Sequence, residues 1–153
     1  MRKSSVMVAS AVLASAALGV GPAYGASGNG AQQEPFYKSN SLCTGPIFDT
    51  SGPTFGFAMI KENTAQNTIT TEVSLKHVAP NSTYTVRLIQ TPSGADCRTF
   101  EAVTVTTNSQ GNGNAHWTEP KLPGTTGAFV IVNNAANFSD NFYDTPDYVF
   151  GVK

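Results

Sequence analysis

The chain has 153 residues, of which 40% are hydrophobic and only 12% charged, and its formal net charge is −1. A charge balance of this kind offers no basic surface for nucleic acid, because such binding depends on neutralising phosphates. Thr, Asn, Ser and Gly are abundant, which is typical of extracellular β-domains and unlike the composition of long helices.

The first 25 residues have the three parts of a secretory signal peptide. Arg2 and Lys3 supply positive charge, an Ala-rich apolar run extends from Val6 to Val20, and small residues follow from Gly21 to Ala26. We predict cleavage after Gly25. The apolar run is too short for a membrane anchor, which needs about 20 apolar residues. The mature chain is therefore expected to be secreted, extracellular or periplasmic, with no membrane span.

The mature chain begins with a polar stretch and continues as one domain. Residues 26–35 are rich in Gly, Ser, Asn and Gln, and we predict a flexible N-terminal leader there because these residues bury little apolar area. A single core is expected over residues 36–153, since this length is typical of one domain.

Seven segments have the composition and alternation of β-strands, and no segment predicts a helix. In the first of them, Phe55, Phe57 and Met59 form the predicted buried face, while the turn residues Asn108–Gly113 predict a tight hairpin connection. The fold class is therefore all-β, a single two-sheet antiparallel sandwich, with a small barrel or jelly roll as the alternative. The seven segments are Thr54–Ile60, Thr68–Leu75, Thr83–Gln90, Arg98–Thr107, Asn114–Thr118, Ala128–Val132 and Tyr148–Val152.

A short pattern in the middle of the chain resembles a known family. Val73–Leu75 followed by Pro80–Val86 is similar to the fibronectin type III pattern, in which a Leu, a Pro-containing corner and a Tyr-x-Val strand follow one another. The resemblance implies an immunoglobulin-like sandwich and carries no function with it. Trp117 follows both cysteines, so the immunoglobulin arrangement with a Trp between them does not apply.

The only two cysteines, Cys43 and Cys97, predict a disulfide, because the expected compartment is oxidising. The chain-entropy relation gives about 4 kcal/mol for closing a loop of this size. The alternative, a reactive thiol pair or a metal site, does not fit the spacing.

No local motif nominates a catalytic site or a cofactor, and none is expected. His77 and His116 lack neighbouring ligands at zinc spacing, and no G-x-S-x-G elbow is present. The ten acidic residues leave open a small secreted hydrolase that uses two facing carboxylates.

The acidic C-terminal stretch is a candidate for calcium binding. Asp140, Asp144 and Asp147, with Asn137 and Asn141, offer the oxygen ligands that calcium prefers. Their spacing differs from the D-x-D-x-D-G loop, and a solvated connector over packed aromatic rings explains the same residues.

Four aromatic side chains are the candidate ligand-binding residues, because exposed rings near loops can stack on sugars or anchor a protein. Core packing is the alternative for each ring. We therefore expect a non-enzymatic sandwich that binds an extracellular glycan or protein through its loops, with a hydrolase or a structural component of the envelope or matrix as alternatives. The four residues are Trp117, Phe142, Tyr143 and Tyr148.

Overall fold

A computed structural model describes residues 30–40, 43, 49–93, 97–134 and 142–151. The predicted signal peptide and the first part of the predicted leader lie outside these residues. Ten β-strands form within them: β1 Gln32–Pro35, β2 Tyr37–Lys38, β3 Gly56–Asn63, β4 Thr68–Leu75, β5 Thr83–Thr91, β6 Ala102–Thr106, β7 Gly113–Pro120, β8 Gly127–Asn134, β9 Phe142–Asp144 and β10 Tyr148–Val149.

The strands form two antiparallel sheets. The front sheet has the order β1-β3-β4-β7, and the back sheet has the order β2-β9-β8-β5-β6, with β10 also paired to β8. The two open sheets confirm the predicted all-β sandwich in place of the alternative barrel. Among the described residues, no helix is long and apolar enough to cross a membrane.

The core lies between the sheets and is built by alternating strand positions. In β4, Ile69, Thr71, Val73 and Leu75 are buried, as the sequence pattern predicts. Strand β8 is buried at every position, because its outer side is also covered. Further core side chains from the other strands include Phe36, Ile60, Tyr84, Val86, Leu88, Val105, Trp117, Val130 and Val132.

The start of the domain differs from the prediction. Within the predicted leader, Gln32–Pro35 form β1, which pairs with β3 from Ile60 to Phe57. Backbone hydrogen bonds hold this polar edge strand, and they need no apolar side chains. Glu34 alone among its residues is buried, so apolar patterning could not reveal the strand.

The buried face of β3 is opposite to the predicted one. Ala58 and Ile60 are fully buried, whereas Phe57 and Met59 remain partly exposed. The cause is Gly56, whose φ of +104° interrupts the alternation, so Phe55 still packs against the core while Phe57 lies on the outer face. A Cβ atom at Gly56 would lie 1.9 Å from the carbonyl oxygen of Ser74, so only glycine fits there.

The tight connection at Asn108–Gly113 joins the two sheets instead of closing a hairpin within one. Strand β6 lies in the back sheet and β7 in the front sheet. Oδ1 of Asn108 accepts hydrogen bonds from the backbone N–H groups of Gln110 and Asn112, and Gly111 has a φ of +73°. A tight turn was predicted correctly at these residues, but its place between the two sheets was not.

The predicted disulfide between Cys43 and Cys97 is present, with Cα atoms 5.0 Å apart. Both cysteines pack against a small apolar cluster of Ile89, Phe129 and Ile131. These three residues alternate with core residues of β5 and β8, so they lie on the outer side of the back sheet. The disulfide therefore covers an apolar surface as well as closing a loop.

Candidate functional site

Three of the four aromatic residues proposed for ligand binding lie in the core. Trp117, Tyr143 and Tyr148 are 8%, 5% and 4% exposed, and Phe142 is partly exposed. Burial, with a smaller contribution from the neighbouring Tyr84, raises the pKa of Tyr143 to about 12. These three rings pack between the sheets and offer little surface for stacking.

The Trp117 side chain belongs to a buried polar network. Its indole N–H donates to Oε2 of Glu119 at 3.1 Å, and the Gln90 amide donates to Oε1 of Glu119 at 2.8 Å. Glu119 is 1% exposed, and burial raises the pKa of its carboxyl, with a smaller contribution from the charge of Glu101. A carboxyl that is enclosed and doubly hydrogen-bonded has no access to a substrate.

Two of the carboxylates proposed for calcium, Asp144 and Asp147, take part in separate hydrogen bonds within the fold. Asp144 accepts a hydrogen bond from the Ser39 hydroxyl, and Asp147 accepts one from the Thr91 hydroxyl at 3.2 Å. Asp140, Asn137 and Asn141 lie outside the described residues. Within the described part of the chain, no three His, Cys, Asp or Glu side chains are grouped so that they could hold a metal ion.

The outer face of the front sheet carries a different candidate site. The register aligns Phe57 with Ser74 and Ser74 with Asn114, and in the next row it aligns Glu72 with His116. Adjacent strands lie about 4.8 Å apart, so the row from Phe57 to Asn114 spans about 10 Å. These five side chains line an open depression of about 230 Å³ whose floor includes Val73 and Ala115.

A second depression of about 490 Å³ adjoins the first at the β6–β7 turn. It shares Ser74 and Asn114 with the first depression, and it extends to Lys76 and the turn residues Asn108 and Asn112. We call the two depressions together the polar trough. The trough is lined by Phe57, Glu72, Val73, Ser74, Lys76, Asn108, Asn112, Gly113, Asn114, Ala115 and His116.

No protein-family model matches this chain, and no curated protein matches its sequence.

Most polar side chains of the trough are not used by the fold. Glu72, Ser74, Asn114 and His116 make no side-chain hydrogen bond or ion pair with any other described residue. They lie at outward positions of β4 and β7, between buried residues that hold the strands in place. The trough thus presents donors and acceptors on a rigid sheet, which favours binding because little order has to be gained.

Asn112 is a further unsatisfied group at the edge of the trough. Its Oδ1 is buried and has no hydrogen-bond partner among the described residues. A buried acceptor without a donor costs about 1–3 kcal/mol.

Sequence reasoning missed this site because Phe57 was assigned to the core. The available signal was the Phe55-Gly56-Phe57 triplet, in which a glycine separates two aromatic residues within a strand. Glycine inside a strand often marks a bulge or a close backbone approach. That reading would have placed the two rings on opposite faces of the sheet.

Proposed function

We propose that this protein is a secreted, non-enzymatic β-sandwich that binds an extracellular glycan at the polar trough. The observation that carries the proposal is the partly exposed Phe57 ring, which lies beside polar side chains that the fold leaves unpaired. Sugar rings have an apolar face of C–H groups and a rim of hydroxyl groups. An aromatic ring with amide, carboxylate and hydroxyl neighbours complements both parts.

A glycan fits the trough better than a protein partner does. Protein interfaces are centred on well-packed apolar or aromatic anchors. The large hydrophobic residues most exposed in the described structure are Phe100 and Val149, and neither lines the trough. The rim of the trough is instead formed by Ser, Asn, His, Glu and Lys side chains.

Binding is also a better match than hydrolysis. Common glycoside hydrolases use two facing carboxyl groups, whereas Glu72 is the one carboxylate among the residues that line the trough. Glu119 and Glu101 are close enough to interact, but Glu119 is enclosed in the core. The trough therefore supports recognition without bond cleavage.

Secretion is supported by two independent features. The first is the N-terminal segment with its charged, apolar and small-residue parts. The second is the disulfide between Cys43 and Cys97, which is typical of proteins that fold in an oxidising compartment.

The fold resemblance to fibronectin type III domains is part of the same proposal. The hydroxyl of Tyr84 is buried and accepts a hydrogen bond from the backbone N–H of Ala79 at 3.0 Å, five residues upstream. Tyrosine corners of immunoglobulin-like sandwiches use the same kind of contact.

A retention assay tests the proposed function. The mature chain, Ala26 to Lys153, is incubated with insoluble cell-wall sacculi, chitin and cellulose, beside the Phe57→Ala and Phe100→Ala variants. Phe100 is 54% exposed and lies outside the trough, so its variant controls for the loss of a surface phenyl ring. We expect at least one polysaccharide to retain the wild-type protein and the Phe100→Ala variant, and to retain Phe57→Ala much less.

Two other outcomes would contradict the proposed glycan binding at the trough. Equal retention of both variants would place the binding surface away from the trough. No retention on any polysaccharide, together with capture of a protein from the cell envelope, would replace the glycan by a protein partner. Thermal melting of each variant confirms that the comparison is made between folded proteins.

A further inference from the structure

We infer that the glycan carries an anionic substituent, a carboxylate or a phosphate, which binds at the Lys76 end of the polar trough. This inference rests on the proposed function and specifies its ligand class. It follows from the distribution of charge and of hydrogen-bond donors along the trough.

The two ends of the trough differ in charge. Lys76 lines the second depression together with Ser74, Asn108, Asn112, Gly113 and Asn114, and this set contains no carboxylate. Glu72 lines only the first depression, beside His116 and Phe57. One end therefore offers an ammonium group among neutral residues, whereas the other end offers a carboxylate.

Lys76 is available for a ligand. Its side chain is exposed and forms no ion pair with any described residue. Lys121 provides the contrast, because its ammonium group is paired with Glu62. The backbone N–H of Lys76 donates to the carbonyl oxygen of Phe55 at 3.0 Å, so the base of the side chain is held at the end of β4.

The residues around Lys76 add neutral donors. Oδ1 of Asn108 already accepts two backbone N–H groups, so its amide N–H groups are the part of the side chain that remains for a ligand. The Ser74 hydroxyl and the Asn114 amide, which are unpaired among the described residues, can donate as well. An ammonium group surrounded by amide and hydroxyl donors suits an anion with several acceptor oxygens.

The attraction must be local, since the protein as a whole does not favour anions. Without the predicted signal peptide, which contains Arg2 and Lys3, the chain has seven basic residues and ten acidic ones. Long-range steering of an acidic polymer would therefore be weak or unfavourable. Recognition of the anion depends on Lys76 and its immediate neighbours.

The experiment compares matched charged and neutral polysaccharides. Affinity electrophoresis of the mature chain is run in gels that contain polygalacturonate, its methyl ester, phosphomannan or neutral mannan. We expect an acidic polymer to retard the protein more than its neutral counterpart, and the Lys76→Gln variant to lose about fivefold in affinity for the acidic polymer only. Lys61→Gln makes the same charge change on an exposed residue of the same sheet outside the trough and is expected to behave as wild type.

The outcomes separate this inference from the proposed function. Retardation by polygalacturonate alone identifies a carboxylate, retardation by phosphomannan alone identifies a phosphate, and retardation by both supports the shared anion chemistry. Equal binding to charged and neutral polymers, or equal effects of Lys76→Gln and Lys61→Gln, overturns the inference while leaving glycan binding intact. Absence of binding to all four polymers, and to the polysaccharides of the retention assay, overturns both.

Discussion

Glu119 is the side chain on which several buried hydrogen bonds converge. The Gln90 amide and the Trp117 indole donate to its two oxygens, and the backbone N–H of Phe100 also contacts it. Gln90 cannot turn its amide around, because its oxygen accepts hydrogen bonds from the backbone N–H of Leu122 and from the Thr125 hydroxyl. The network therefore requires an acceptor at both Glu119 oxygens.

The Glu119→Gln substitution should destabilise the protein despite its similar shape. One oxygen becomes an NH₂ group, which faces either the Gln90 amide or the Trp117 indole and leaves two donors opposed. We expect a loss of about 1–3 kcal/mol in the free energy of unfolding, measured by urea denaturation. The exposed Glu72→Gln variant is the control and should change little. Equal stability of the two variants would show that the network does not need an acceptor at both Glu119 oxygens.

At the scale of elements, the strands with clear side-chain alternation were predictable and the strands held mainly by their backbone were not. The bounds of β4 agree with the sequence prediction, because Ile69, Val73 and Leu75 alternate with polar residues. Strands β1, β2 and β9 have two to four residues each and lie at or next to the sheet edges. Their pairing depends on neighbours that are distant in sequence.

The candidate site could be predicted only in its chemical type. The sequence indicated aromatic rings beside polar groups, but the rings it nominated, Trp117, Tyr143 and Tyr148, are buried. The trough depends on the register that brings Phe57, Ser74 and Asn114 into one row across three strands. Neither that register nor the inverted face of β3 can be deduced from local alternation alone.

The disulfide links the β2–β3 connection to the β5–β6 connection and covers part of the back sheet, which leads to a prediction for its removal. The Cys43→Ala/Cys97→Ala double variant should lose about 4 kcal/mol in the free energy of unfolding. It should also bind more of a hydrophobic dye, because Ile89, Phe129 and Ile131 lose their partners. Urea denaturation and dye fluorescence measure the two effects. Wild-type stability with unchanged dye binding would mean that neither the loop closure nor the cover is needed.

At the scale of the whole molecule, buried carboxyl groups contribute to the dependence of stability on pH. Burial raises the pKa of Glu34 and of Glu119, which lie in the front sheet. A raised pKa in the folded state means that the protonated carboxyl is favoured by folding. Its contribution to stability is complete below the unfolded pKa of about 4.3 and is lost as the pH rises through the folded pKa.

The protein should consequently melt at a higher temperature in mildly acidic solution than at neutral pH. We expect the melting temperature to be higher at about pH 5 than at about pH 7. The Glu34→Gln variant should show a smaller difference, because one of the carboxyl groups with a raised pKa no longer titrates. A melting temperature that falls on acidification over this range would contradict the assignment of these two carboxyl groups.

The central claim is that a rigid sandwich binds a glycan on the outer face of its front sheet. The most direct test is an NMR titration of the ¹⁵N-labelled mature chain with oligosaccharides released from the polysaccharide that retains it. We predict that the largest shift changes fall on the backbone amides of the trough residues Phe57, Ser74, Asn114 and His116, while those of Ile89 and Phe129 on the back sheet stay unchanged. Shift changes centred on the back sheet or on the opposite end of the sandwich, or no changes at saturating oligosaccharide, would contradict the claim.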